Sequence, residues 1–219
     1  GSPKEKIAPL AQVLWENLEE KHILVYFPDP ELEKSIATLG FGGKIVSSLQ
    51  DYLQINDANF GGAKSNLFIE YAVKEKYQRK EGKIIKTVEV EYNNPAPASN
   101  CNLEKGDLCL NGIYRNWFRF YVPKGSKLIK MTGSEVDPLV YEELDKTVFE
   151  GFFGDKNPLY PKSKLTISVE YELPFAEDQF SLLIQKQPGK KQVNHKIFVN
   201  DELIQEIILK KDIKTTISL

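Results

Sequence analysis

Between Tyr114 and Pro123 the chain reads YRNWFRFYVP, and the character of the side chain switches at every step. Tyr114, Asn116, Phe118, Phe120 and Val122 fall on one side of an extended chain, and Arg115, Trp117, Arg119 and Tyr121 on the other. Alternation with period two predicts a β-strand with one face in a core. Its second face is unusual, because a half-buried strand normally turns small polar or charged side chains to water. Two arginines interleaved with two aromatics predict either a binding platform or a second packed layer.

The same texture runs through most of the chain. Asn66–Val73 and Ile84–Asn94 read as the arms of a long hairpin, with the polar stretch between them as its turn region. In the second arm Ile85, Thr87, Glu89 and Glu91 alternate with Lys86, Val88, Val90 and Tyr92. After a loop over 95–112, further strands are predicted at Tyr114–Val122, Lys127–Thr132, Lys146–Phe153, Leu165–Leu173, Phe180–Lys186, His195–Val199 and Glu202–Leu209. Turn signals such as Lys124-Gly125, Pro188-Gly189 and Asn200-Asp201 separate them. Many short strands at this spacing predict an antiparallel β-sandwich.

The start differs. Residues 5–20 place Ile7, Leu10, Val13, Leu14 and Leu18 on one helical stripe with Trp15 on its flank. Ile23–Phe27 is a continuous apolar run that suits a buried strand, and Asp29-Pro30 opens a second helix that Gly40 ends. The expected class is α+β, mainly β. A helical lead with one short strand over 1–64 packs on a sandwich over 65–219, with the break near Gly61-Gly62.

At 219 residues, roughly 70% of the unfolded surface can be buried, so a core needs no metal. Lys and Arg number 29 against 31 Asp and Glu, which removes the uniform positive field of a nucleic-acid binder. No apolar run is long enough to span a bilayer, and the first residues lack the apolar core of a signal peptide. Gly1-Ser2 reads as the remnant of a removed tag, so the chain is expected to be cut from a longer protein with any export signal or anchor upstream. Cys101 and Cys109 flank a polar Lys105-Gly106-Asp107 turn, whereas unpaired thiols are usually buried. A disulfide and an oxidising location are therefore expected.

Candidate chemistry is sparse. Asn59-Phe60-Gly61-Gly62-Ala63-Lys64-Ser65 invites comparison with a phosphate loop, but it lacks the upstream glycine and precedes a strand rather than a helix. It reads as a turn in which Asp57 and Asn59 bond nearby backbone, Gly61 and Gly62 take positive φ, and Lys64 bonds loop carbonyls or Asp57. Asp51, Asp57, Asp137, Glu142 and Glu143 are the candidate acids, and nothing in their spacing brings two together. His22 and His195 are the only histidines and lie in unrelated segments, so neither a metal nor a cofactor is expected. Ser126 in Lys-Gly-Ser-Lys reads as a turn residue, and the Gly189–Gln192 cluster with Lys186 as a solvated turn. The Arg115/Trp117/Arg119/Tyr121 face either stacks and pairs with an external polymer, or pairs internally with acids such as Glu89 or Glu91 while its aromatics are covered. Extracellular sandwiches also admit an amide between a buried lysine and a buried Asn or Asp, a pair that periodicity does not locate.

Four segments carry a family likeness: Asp51–Asn66 (DYLQINDANFGGAKSN), Tyr114–Leu128 (YRNWFRFYVPKGSKL), Val169–Pro174 (VEYELP) and Leu182–Lys190 (LLIQKQPGK). In order and spacing they resemble the carboxy-terminal region of the bacterial family catalogued as domain of unknown function 4012. Ile23–Ile45 resembles the stretch that precedes the glycine-rich segment there. The resemblance implies a surface or envelope protein with an amino-terminal membrane anchor and an upstream domain, and supplies no catalytic residues. The Cys101–Cys109 insertion departs from the family pattern. The expected role is a non-catalytic extracytoplasmic module, a scaffold or recognition surface for envelope glycan or another surface protein. The alternative is an accessory region of a cell-wall-polymer enzyme whose active site lies upstream. Neither nucleic acid nor direct membrane insertion is expected.

Overall fold

The computed structural model describes residues 3–48 and 50–219. Two helices, α1 (Pro3–Glu19) and α2 (Pro30–Thr38), precede twelve strands. The strands are β1 (Asp51–Asn59), β2 (Glu70–Lys80), β3 (Lys83–Asn94), β4 (Asn116–Pro123), β5 (Lys127–Thr132), β6 (Leu139–Glu143), β7 (Lys146–Phe153), β8 (Ser163–Glu172), β9 (Gln179–Ile184), β10 (Val193–Val199), β11 (Glu202–Leu209) and β12 (Ile213–Ser218). They form two six-stranded sheets, ordered β12-β9-β1-β4-β7-β6 and β11-β10-β2-β3-β8-β5. A single core of inward side chains from both sheets, Phe118, Phe120 and Phe149 facing Val88, Val90 and Tyr171 among others, makes this the expected mainly β sandwich with helices at its start. Each sheet departs from antiparallel pairing once, where β1 runs parallel to β9 and β2 parallel to β10.

Local chemistry sets the hairpins. β2/β3, β6/β7 and β10/β11 are each joined by two residues, Glu81-Gly82, Leu144-Asp145 and Asn200-Asp201, all six with positive φ. Such turns match the right-handed twist of the strands they join. The stretch expected as a turn region is strand almost throughout: Tyr71, Val73, Glu75 and Tyr77 all point inward. Its polar look comes from outward lysines and from a glutamate buried among charged partners.

The lead differs from expectation at three points. Ile23–Phe27 forms no strand, and Tyr26 is 74% exposed. Asp51–Asn59 is instead a central strand of the first sheet, so the sandwich begins before the double glycine. The helices form as predicted, and Asp29 caps α2 by accepting the N–H groups of Glu31 and Leu32. The stripe of α1, however, lies open, with Ile7, Leu10, Val13 and Leu14 all exposed. Polar bonds tie the lead to the body, beside the apolar packing of Ile45 and Val46 on the first sheet. Lys21 pairs with Asp212 at 2.7 Å, Lys186 Nζ donates to the Glu20 carbonyl, and Gln185 bonds the Lys44 carbonyl and the Val46 N–H.

Candidate functional site

Register across β1, β4 and β7 builds the site. Arg119 stands between Asn56 and Glu150, and Trp117 between Ala58 and Phe152, all on the outer face of the first sheet. The neighbouring part of that face is closed. Tyr121 is only 6% exposed and packs with Tyr52 and Val148 beneath Ile45 and Val46 of the lead. The four residues of the expected platform therefore separate, with Tyr121 in a small second core and Arg115, Trp117 and Arg119 left open.

The open part is a groove of about 610 Å³, lined by Asn56, Ala58, Phe60, Arg115, Trp117, Arg119, Val136, Phe152 and Asp155. Trp117 lies 5.7 Å from Phe152 and 6.5 Å from Phe60, centroid to centroid, so its indole is braced on both sides. Phe60, 63% exposed, stands at the rim.

Both arginines are fixed, though not by the expected acids. Glu89 and Glu91 belong to the other sheet and pair with Lys76 and Lys164. Arg119 Nε donates to Glu150 Oε2 at 2.6 Å, and Arg115 pairs with Asp155. The bond to Glu150 pushes the Arg119 guanidinium above its ordinary range. Burial works to raise Glu150, but bonds from Arg119 and Tyr141 hold it below the usual carboxylate range. Arg119 remains 40% exposed, so its outer edge faces the groove. Arg115 Nε is buried without a hydrogen-bond partner. Each arginine thus carries a carboxylate beside it, which leaves the groove near neutrality while both guanidinium forks stay in place to donate.

Asp155 owes its place to Glu135, a residue that sequence reasoning did not single out. The Glu135 carboxylate accepts the backbone N–H groups of Gly154, Asp155, Lys156 and Asn157 at 2.6–2.9 Å. Burial alone would raise this carboxyl, but the backbone donors outweigh it and lower it. The serine-glutamate pair before a loop was the available sequence signal.

The glycine turn behaves only partly as expected. Asn59 accepts the Gly61 N–H and donates to the Ala63 carbonyl, and Gly62 has φ +77°. Gly61 has no positive φ. A Cβ there would lie 2.3 Å from the Ile113 carbonyl oxygen, so close backbone approach excludes a side chain. Lys64 is exposed, and its carbonyl accepts the Leu67 N–H. The partner of Asp57 is Lys190, from the cluster expected to be solvated. Asp57 belongs to β1 and also accepts Tyr92 Oη at 2.8 Å and Asn116 Nδ2 at 2.6 Å, closing one end of the core. Ser126 donates to the Pro123 carbonyl, as a turn residue should.

Of the candidate acids, Asp51 does meet a second carboxylate, that of Glu75, but inside the sealed core. His195 lies there too, against Glu75. No group of three or more His, Cys, Asp or Glu residues arranged to hold a metal occurs among the described residues.

Cys101 and Cys109 are disulfide-bonded, in the exposed tip of the 95–112 loop. The base of that loop is held by Asn111, whose side chain exchanges hydrogen bonds with Asn94 and donates to the Pro97 carbonyl. Among the described residues, no helix is long and apolar enough to cross a membrane. Comparison with models of protein families finds none that matches this chain, and comparison with curated proteins finds no relative.

Proposed function

We propose that this chain is a non-catalytic extracytoplasmic module of a bacterial envelope protein, whose sandwich serves as a recognition surface for a glycan. The observation that carries this is the groove in which Trp117, braced by two phenylalanines, lies between two arginines held by carboxylates. A sugar ring stacks its apolar face on an indole, and its hydroxyl or carboxylate oxygens accept from guanidinium donors. Near-neutral local charge favours a neutral or sparsely acidic glycan over a polyanion such as nucleic acid. The disulfide suits an oxidising compartment. The resemblance of four segments to the domain of unknown function 4012 supports the envelope setting and an anchor in a preceding segment.

A glycan array bearing neutral and uronate-containing oligosaccharides tests this. The wild-type chain is expected to bind a subset, Trp117→Ala to lose that binding, and Arg119→Lys to weaken it. A folded wild-type chain that binds no glycan on the array overturns the proposal.

A further inference from the structure

In the middle of the sandwich, where the two sheets face each other, one lysine meets two carboxylates. Lys86 of β3 is fully buried, and its Nζ lies 2.8 Å from Asp51 Oδ2 of β1 and 2.5 Å from Glu75 Oε2 of β2, both also fully buried. Tyr77 Oη donates to Asp51 Oδ2 at 2.6 Å, and its ring lies under the ammonium at 4.9 Å. Apolar and aromatic residues, Tyr171 and Phe180 among them, seal the surroundings.

An ion network of this kind is costly. Each buried ion loses several kcal/mol of solvation that mutual attraction recovers only in part, and one lysine cannot neutralise two carboxylates. Burial therefore raises the Asp51 carboxyl toward its protonated form against the pull of Lys86. Glu75, with Lys86 on one side and His195 on the other, is held ionised against the same burial. The triad sets one ammonium against two carboxyl groups in contact with it, one drawn by burial toward its protonated form and the other lowered by Lys86 and His195.

We propose that Lys86 and Asp51 condense to an intramolecular amide, with Glu75 as the proton carrier, so that a covalent bond joins β1 of one sheet to β3 of the other. The step balances within the triad. Glu75 takes a proton from the Lys86 ammonium, and the freed Nζ lone pair attacks Cγ of protonated Asp51. The carbonyl electron pair moves onto Oδ1, which already accepts the Tyr52 backbone N–H at 2.8 Å and is thereby stabilised as it gains charge. Glu75 passes its proton to the departing Oδ2 hydroxyl, which leaves as water, and takes one proton from the new nitrogen as the carbonyl re-forms. Amide, water and neutral Glu75 replace an ammonium, an acid and a carboxylate, so the core loses its buried charges. Held contact between the reacting groups removes the entropic part of the barrier. His195, against Glu75 Oε1, acts as a positioning residue.

The intact mass of the reduced wild-type protein tests this, followed by a tryptic map. The expected mass is one water below that of the sequence, with no cleavage after Lys86 and a branched peptide joining the Asp51 and Lys86 segments. Asp51→Asn is expected to form the same bond and to lose one ammonia instead. Glu75→Gln is expected to keep the full sequence mass. A folded wild-type protein with the full sequence mass overturns the proposal, as does a loss of water confined to a linear peptide. A bond that forms in Glu75→Gln overturns the role of Glu75. Where a variant fails to fold, the wild-type map alone decides.

Discussion

Glu135 accepts the backbone N–H of Asp155 at 2.9 Å, and through that bond and three like it a carboxylate outside the groove fixes the loop that anchors Arg115. The acid acts on the groove only through backbone.

Glu135→Ala should free the loop over 154–157 at a global cost of about 1–2 kcal/mol, because water replaces part of what is lost at a half-exposed site. Amide exchange at those four residues should quicken while exchange in β4 and β7 stays slow. The carboxyl is lowered in the folded state, so its contribution is full above its ordinary range and disappears as pH falls through the lowered value. Loop protection in the wild type should therefore persist to more acidic pH than an unperturbed glutamate allows.

Neighbouring residues of β4 should respond in opposite ways. Phe118 is fully buried in the main core, and Phe118→Ala should cost about 3–5 kcal/mol. Trp117 sits beside it on the open face, and Trp117→Ala should cost less than about 2 kcal/mol while removing glycan binding. Denaturant unfolding of both variants checks the contrast. A severe loss of stability in Trp117→Ala would mean that its aromatic contacts are structural.

The cysteine loop should depend more on its base than on its tip. Asn111→Ala leaves the buried Asn94 amide without its partner, at about 1–3 kcal/mol, and also releases the carbonyl of exposed Pro97. Cys101→Ser with Cys109→Ser should cost less than Asn111→Ala, since a bridge across a sequence separation of 8 closes only a short loop and removes correspondingly little entropy from the unfolded chain. Thermal unfolding of both variants under oxidising conditions decides the order.

Lys186 gives a pH signature. Burial lowers its ammonium from 10.5 to about 8, with Glu20 and Asp212 opposing the shift. Between those values the unfolded chain binds the proton that the folded chain has released, so stability rises with pH from about 8 upward. Buried tyrosines such as Tyr77 and Tyr92, raised by burial, work against folding once unfolded tyrosine ionises near pH 10. The rise is thus expected between about pH 8 and 9.5, and Lys186→Met should flatten it. A wild-type slope that survives the substitution undiminished rules Lys186 out as its source and leaves Lys146, which burial also lowers.

The sandwich was legible wherever turn signals bracket an apolar run, as with β5 after Lys124-Gly125 and β11 after Asn200-Asp201, whose bounds match the prediction to the residue. It was hidden where the inward residues are polar. β1 turns Asp51 and Asp57 into the core, and β2 turns in Glu75, so both segments look like loop or lead until their partners arrive, Lys86 from β3 and Lys190 from the loop between β9 and β10. The edge strand β6 carries little alternation because it buries little, and β12 is short, with Ile217 its one fully buried residue. In the groove, sequence pointed to Arg115, Trp117 and Arg119, but the phase of a strand does not say what lies above it. The course of Ile45 and Val46, with Tyr141 and Leu183 beside them, separates covered Tyr121 from open Trp117.

The parallel pairings of β1 with β9 and of β2 with β10 make the first strands of both sheets wait for the last. A nascent chain still lacking the residues from Gln179 onward would leave β1 and β2 as bare edges, ready to pair with any extended segment nearby. The sandwich therefore closes only once the residues of β9 to β12 are present, and its long-range pairings make that closure slow.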